Sequence, residues 1–144
     1  MKAKDIMVKN VATIEPNKSI LDVAILMKER SIGSLVVVEK SNPIGIITER
    51  DIVRKLVAEG RDASKVKVRE LMSYPLITAS PDDSFEELSK KMSLNEIRRL
   101  PVIDKNGRLV GIITATDIAK SISKDVNEYD LVMRAILRYH KEGY

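Results

Sequence analysis

One passage of this chain is written twice. Gly45-Ile46-Ile47-Thr48-Glu49-Arg50-Asp51-Ile52 returns as Gly111-Ile112-Ile113-Thr114-Ala115-Thr116-Asp117-Ile118. The correspondence extends well beyond that passage: Met7 and Met72, Thr13 and Thr78, Pro16 and Pro81, Ser19 and Ser84, Met27 and Met92, and Ile32 and Ile97 all lie 65 positions apart. At Gly45 and Gly111 the offset becomes 66. The extra residue falls in Asp104-Lys105-Asn106-Gly107, where Asn-Gly favours a tight hairpin; the first copy has Lys40-Ser41-Asn42-Pro43 there. An insertion confined to a turn is what two copies of one fold should show. A unit of about 60 residues buries only about 60% of its unfolded surface. Two such units are therefore expected to pack as one module rather than stand apart.

Each copy reads in the same order. A turn at Asp5-Ile6-Met7 leads to the extended piece Val11-Ala12-Thr13-Ile14, which Glu15-Pro16-Asn17 breaks. Ser19, with Asp22 three residues on, caps a helix expected to reach Arg30. The β-branched run Leu35-Val36-Val37-Val38, a turn and the strand Ile44 to Ile47 follow, and a helix after Thr48 fades at Glu59-Gly60. The second copy repeats this with Leu76-Ile77-Thr78, a helix from Ser84 to Asn95, strands Leu100 to Ile103 and Leu109 to Ile113, and a helix to Ser123. The expected fold is α/β (α+β): two β-α-β-β-α repeats, residues 1–61 and 62–123, packed about a pseudo-two-fold axis. A C-terminal helical extension, residues 124–144, is expected to follow. There Val126, Tyr129, Val132, Met133, Ile136, Leu137 and Tyr139 make a broad apolar face, and Arg134, Arg138 and Lys141 suit the negative end of the helix dipole.

The copies differ in an informative way. Leu21 and Ile25, four apart on the first helix, form a second apolar stripe beside its core positions, whereas the second copy has Glu86 and Lys90 there. That stripe is either a contact with the other copy or the tail, or a self-association surface.

The repeated motif carries the chemistry. Thr and Asp three apart at a strand-to-helix junction match a capping box, in which the hydroxyl accepts from a first-turn amide and the carboxylate reaches back to the cap amide. The same junction offers helix N-terminal N–H donors to a phosphate. Its carboxylate is also placed to accept hydrogen bonds from a sugar diol. Spacing alone leaves capping and ligand binding both open.

Composition narrows the function classes. A formal charge of +4 is mildly basic, but with one Phe, no Trp and four Tyr there is no aromatic platform for stacking bases, so nucleic acid is not the expected partner. Zero cysteines exclude disulfides, thiol catalysis and Cys-ligated metal, and fit a reducing compartment. The start Met1-Lys2-Ala3-Lys4-Asp5 lacks the apolar stretch of a signal peptide, and no apolar run approaches membrane-spanning length. A cytoplasmic protein without a membrane partner is the expectation. His140 is the only histidine, so a histidine metal site or catalytic triad lacks its partners. Asp82-Asp83 and Glu86-Glu87 make an acidic helix start that suits the dipole. None of these groups forms an active site, and neither an enzyme nor a catalytic cofactor is expected.

These residues resemble the CBS domain, named after cystathionine β-synthase, whose repeats occur in tandem pairs called Bateman modules. The resemblance rests on Asp5-Ile6-Met7 and Glu70-Leu71-Met72, the Pro-x-x-Ser turn before each first helix, Leu100-Pro101-Val102-Ile103-Asp104, and both Gly-Ile-Ile-Thr-x-x-Asp-Ile motifs. It implies regulation through an adenosine ligand, namely AMP, ADP or ATP with S-adenosylmethionine as a further candidate, bound in the cleft between repeats. By that resemblance the ribose-binding acids fall on Asp51 and Asp117, and the hydroxyl residues on Thr48 and Thr114. Adenine would meet Thr13-Ile14 and Ile77-Thr78. Phosphate contacts would come from Arg98 and Arg99, with Arg50 beside the first motif, although Arg50 and Arg54 also share one surface face of a helix. The first copy has Gly33 and Ser34 where the second has Arg98 and Arg99, so the two half-sites are not equivalent.

The resemblance therefore implies a nucleotide-sensing module that signals to a partner protein, and with the Leu21/Ile25 stripe it leads us to expect a homodimer of four repeats in a disc-like assembly similar to others in the family. A ligand-independent scaffold, holding a partner through the Leu21/Ile25 stripe or the C-terminal helix, is the alternative from another class. Direct nucleic-acid binding, which would carry a steep salt dependence, is the third.

Overall fold

The computed structural model describes residues 1–122 and residue 138. The expected C-terminal helix, its apolar face and His140 lie outside the described residues, apart from Arg138. Within the first copy the elements are α1 (Ala3–Ile6), β1 (Thr13–Ile14), α2 (Ile20–Arg30), β2 (Ser34–Glu39), β3 (Asn42–Thr48) and α3 (Glu49–Ile52). The turn after α3, Val53–Val57, is wound as a π-helix, with the Ala58 N–H donating to the Val53 carbonyl at 2.9 Å. The second copy has α4 (Val68–Leu71), α5 (Phe85–Asn95), β4 (Arg99–Ile103), β5 (Leu109–Thr114) and α6 (Ala115–Ile122).

Local chemistry sets these limits. Ser19 and Ser84 cap α2 and α5, accepting from the amides of Asp22 and Glu87 at 3.1 Å each, while those carboxylates bond back to the cap amides. Both helices end on a residue in the left-handed region, Ser31 and Glu96, each at φ 52°. In the β2–β3 hairpin, Glu39 pairs with Asn42 and the two loop residues, Lys40 and Ser41, both take positive φ.

The second copy departs from the expected order. Strand β1 lies parallel to β2, and the Val36 N–H donates to the Ala12 carbonyl at 3.1 Å. At the position corresponding to Val36 the second copy has Pro101, which has no N–H to give. Leu76-Ile77-Thr78 consequently forms no strand, and only Ala79 bridges to β4, opposite Val102. The first sheet thus runs β1-β2-β3 and the second only β4-β5.

Assembly follows from an exchange of N-terminal segments. Helix α1 belongs to the first copy by sequence, but Ala3 is buried in the second copy's core with Leu88, Met92, Leu100, Val102, Ile113 and Ile118. Reciprocally, Val68 and Leu71 of α4 are buried in the first copy's core with Ile20, Val23, Leu35, Val37 and Ile47. The backbone bonds match pair for pair. Ala3 and Lys4 donate to Asp83 and Pro81, as Val68 and Arg69 donate to Lys18 and Pro16. Val8 exchanges both of its backbone bonds with Ile112, as Ser73 does with Ile46. Each repeat completes the other, which makes the pair one pseudo-symmetric module.

The exchange also explains why the repeated motif opens on glycine. A Cβ on Gly111 would lie 2.5 Å from Met7 Sδ, and one on Gly45 would lie 2.8 Å from the Ser73 carbonyl oxygen and 3.0 Å from Met72 Sδ. Each glycine is the seat on which the partner copy's methionine rests. Leu21 and Ile25 of the second apolar stripe remain 43% and 46% exposed.

Candidate functional site: the cleft at Asp117 and its counterpart at Asp51

Because the N-terminal segment of one copy crosses to the other, a cleft forms where they meet. Its volume is about 190 Å³. One wall is the first copy's crossing segment, Val8, Asn10, Val11 and Ala12, with Ile32, Gly33 and Ser34 at the entry to β2. The other wall is Ile112, Thr114 and Asp117 of the second copy, where β5 turns into α6. Mostly apolar walls that carry one carboxylate suit a flat, weakly polar ring system that carries hydroxyl groups.

At this junction the capping box forms as the spacing predicts. The Asp117 amide donates to Thr114 Oγ1 at 3.1 Å, and Asp117 Oδ2 accepts from the Thr114 amide at 2.9 Å. Asp117 Oδ1 accepts no hydrogen bond among the described residues. The Ala115 amide donates to the Arg98 carbonyl at 2.9 Å, which fixes the start of α6 beside the start of β4.

The corresponding junction in the first copy has the same box with more partners. Asp51 Oδ2 accepts from the Thr48 amide and the Thr48 hydroxyl, each at 3.0 Å, and the Asp51 amide donates to Thr48 Oγ1 at 3.2 Å. Asp51 Oδ1 lies 3.1 Å from Lys55 Nζ. Lys55 also donates to the Leu71 carbonyl at 3.0 Å.

The other expected site residues separate into groups. Thr48 and Thr114 sit beside their acids as expected. Thr13 and Ile14 are the two residues of β1, Thr13 exposed and Ile14 packed on the first core, so the cleft is lined by the residues just before them. Ile77 packs on the second core, and the Thr78 carbonyl accepts from Lys91 Nζ at 3.2 Å. Arg99 is half-buried at the start of β4, with its Nη2 3.4 Å from where a Cβ on Gly33 would stand; it therefore reaches the edge of the Asp117 cleft. Arg98 and Arg50 are exposed. Sequence reading missed the lining residues Val8, Asn10, Val11 and Ala12, and it missed Lys55. The lining residues carry no motif, because their role comes from the segment exchange. Lys55 had a signal: a lysine four residues after a helical aspartate is an i,i+4 ion pair.

Among the described residues no group of three or more His, Cys, Asp or Glu side chains could hold a metal ion. Nor is any described helix long and apolar enough to cross a membrane.

Comparison with known proteins yields consistent matches. The family model for the CBS domain matches residues 3–58 and again 68–124. An uncharacterized protein of Methanopyrus kandleri is 46% identical over 76% of this chain, and the chain spans only 57% of that relative's length. A CBS domain-containing protein of Bacillus subtilis is 42% identical, over 81% of each chain. Among solved structures, a CBS domain pair in complex with 5′-methylthioadenosine and S-adenosyl-L-methionine superposes with a TM-score of 0.78 at 32% identity. That match covers 87% of this chain and 98% of the other.

Proposed function

The chain belongs to the CBS domain family as a tandem pair of repeats, and from that premise we propose that it is a regulatory module binding an adenosine nucleotide in the Asp117 cleft. The observation that carries this reading is Asp117 Oδ1, which has no hydrogen-bond partner among the described residues and lines a largely apolar cleft. A ribose diol supplies two donors to such an oxygen. The adenine ring then lies against Val8, Val11, Ala12 and Ile112. Thr114, the first amides of α6 and Arg99 receive phosphate. The cleft is smaller than the roughly 300–1,000 Å³ of most ligand sites. It suits a nucleoside held inside with its phosphates outside, in the AMP, ADP or ATP class. S-adenosylmethionine, which a structural relative binds, presents the same adenosine with a methionyl group in place of the phosphates.

A module of this kind acts through differential affinity, because a ligand that binds two arrangements equally shifts neither. The cleft draws one wall from each repeat, so ligand contact depends on how the repeats sit together. That gives the ligand a handle on the arrangement presented to a partner protein. The half-exposed Leu21 and Ile25 support a homodimer in which that stripe is covered. Calorimetry with AMP, ADP, ATP and S-adenosylmethionine tests the reading. Hydrogen bonds to a charged carboxylate contribute about 1.5–3 kcal/mol, so Asp117→Ala is expected to weaken the binding ligand roughly ten- to hundred-fold. Unchanged affinity would make Asp117 a helix cap and nothing more.

A further inference from the structure

The two half-sites are related by the duplication but differ in one side chain that decides whether the acid is available. Resting on the ribose-binding role of these acids, we propose that Lys55 occupies the Asp51 half-site in place of a ligand. The module therefore takes one adenosine ligand per chain, at Asp117.

The comparison is position by position. In the second copy, Asp117 uses Oδ2 for its capping bond and leaves Oδ1 without a partner among the described residues. In the first copy, Oδ2 of Asp51 already takes two donors from Thr48, and Oδ1 takes the Lys55 ammonium at 3.1 Å. The Asp51 side chain is only 13% exposed, so its approaches are few, and the ammonium lies across one of them. Lys55, whose side chain is 45% exposed, makes two contacts. Its second bond, to the Leu71 carbonyl, ties it to the end of α4, the segment that crosses from the second copy. It is thus held at two points, one on its own helix and one on the exchanged segment.

The residue corresponding to Lys55, at the same 66-position offset as the two acids, is Ser121. Its hydroxyl is turned to Met1 Sδ at 3.4 Å and cannot reach across as an ammonium does. The helices also part company here. Lys55 sits in the π-wound turn Val53–Val57, whereas α6 continues as regular helix through Ile122. A diol arriving at Asp51 has to displace a charge-assisted bond and leave Lys55 on a single carbonyl. At Asp117 no described side chain has to be displaced from Oδ1.

Isothermal titration of the full chain with AMP, ATP and S-adenosylmethionine as separate probes tests this. The wild type is expected to bind the active probe with a stoichiometry near one, any second event being at least ten-fold weaker. Lys55→Ser, which copies the second repeat, is expected to raise the stoichiometry to two. Lys55→Met, which keeps the aliphatic stem without the ammonium, should do the same and guards against a folding defect in either variant. Adding Asp51→Ala to Lys55→Ser should return the count to one. Two equal sites in the wild type, or a Lys55 variant that folds and still binds once, would overturn the proposal while leaving the Asp117 reading intact. Weaker ATP binding in the Lys55 variants would also overturn it, because Lys55 would then be a phosphate ligand. No binding by the wild type, or binding indifferent to Asp117→Ala, would remove the ribose reading itself and this inference with it.

Discussion

The exchange of N-terminal segments can be tested at Gly111. Its backbone lies in β5 outside the left-handed region, so alanine is conformationally allowed there. Propensity alone predicts a gain of about 0.5–1 kcal/mol from Gly→Ala in a strand. The packing predicts the opposite sign. The new Cβ would stand 2.5 Å from Met7 Sδ, 2.7 Å from Cγ and 3.0 Å from Cβ, against ordinary carbon contacts of about 3.5–4.0 Å. Sδ and Cγ can rotate away, but the Met7 Cβ moves only with its backbone. That backbone is pinned, because the neighbouring Val8 exchanges two 2.9 Å bonds with Ile112. Overpacking of this kind costs about 1–3 kcal/mol, so after the propensity gain Gly111→Ala should be a net loss centred on about 1 kcal/mol and reaching about 2.5 kcal/mol at most. Met7→Ala alone should cost about 2 kcal/mol as a truncation. In the double variant the Sδ and Cγ clashes vanish, so the two costs should fall short of their sum by about 1 kcal/mol. Urea unfolding followed by circular dichroism, with unchanged m-values, measures all three. Additivity within about 0.5 kcal/mol, or a stabilising Gly111→Ala, would mean that Met7 does not rest on Gly111 and that the segments are not exchanged as described.

Three further outcomes are expected. Lys40 and Ser41 hold the positive φ values that a two-residue hairpin loop demands, so replacing them with Asn-Gly should stabilise the protein by about 1 kcal/mol; a lower urea midpoint would contradict this. Asp62, Glu70 and Asp82 are held below the ordinary carboxylate range, chiefly by the Ser64 hydroxyl, the Lys67 amide and the Lys4 ammonium respectively. Their unfolded forms bind protons first, so the melting temperature should hold at neutral pH and fall as pH drops through about 4 and below; a rise on acidification would contradict the sign. Leu21→Glu with Ile25→Lys, which copies Glu86 and Lys90, should convert a homodimer to a monomer by light scattering, and a wild type already monomeric at micromolar concentration would remove the self-association surface.

Much of the fold was legible because its signals are local. Ser19 and Ser84, each with an acid three residues on, marked the helix starts, and the β-branched runs marked β2 to β5. The duplication supplied the rest, since a reading in one copy could be checked in the other. It also misled at Leu76-Ile77-Thr78. The strand there depends on an N–H that Pro101 lacks, on a chain segment some 25 residues away, so the local pattern could not reveal its absence. The exchange was invisible for a related reason. Asp5-Ile6-Met7 and Gly111-Ile112 are separated by a hundred residues, and no periodicity links a methionine to the glycine it covers. In the site, the acids and hydroxyls were legible because capping requires them three apart. The cleft walls at Val8 to Ala12 were not, because only the exchange brings them there.

These two gaps share one cause, and it bears on how the module works. Val8 lines the Asp117 cleft and is also the residue whose backbone locks the first copy's segment onto Ile112. Met7, its neighbour, occupies the space left by Gly111. A ligand against Val8 and Asp117 therefore presses on the joint through which each repeat completes the other's core. At the Asp51 end the corresponding joint carries Lys55 bonded to the Leu71 carbonyl, one residue before the Met72 that packs over Gly45. On the two proposals made above, one joint is open to a ligand and the other is closed by the Lys55 side chain. Under the proposed mechanism this asymmetry lets binding at one end move a repeat against a fixed partner rather than displace both alike. A discrete shift of that kind can be passed to another protein, because packed cores are bistable rather than continuously deformable.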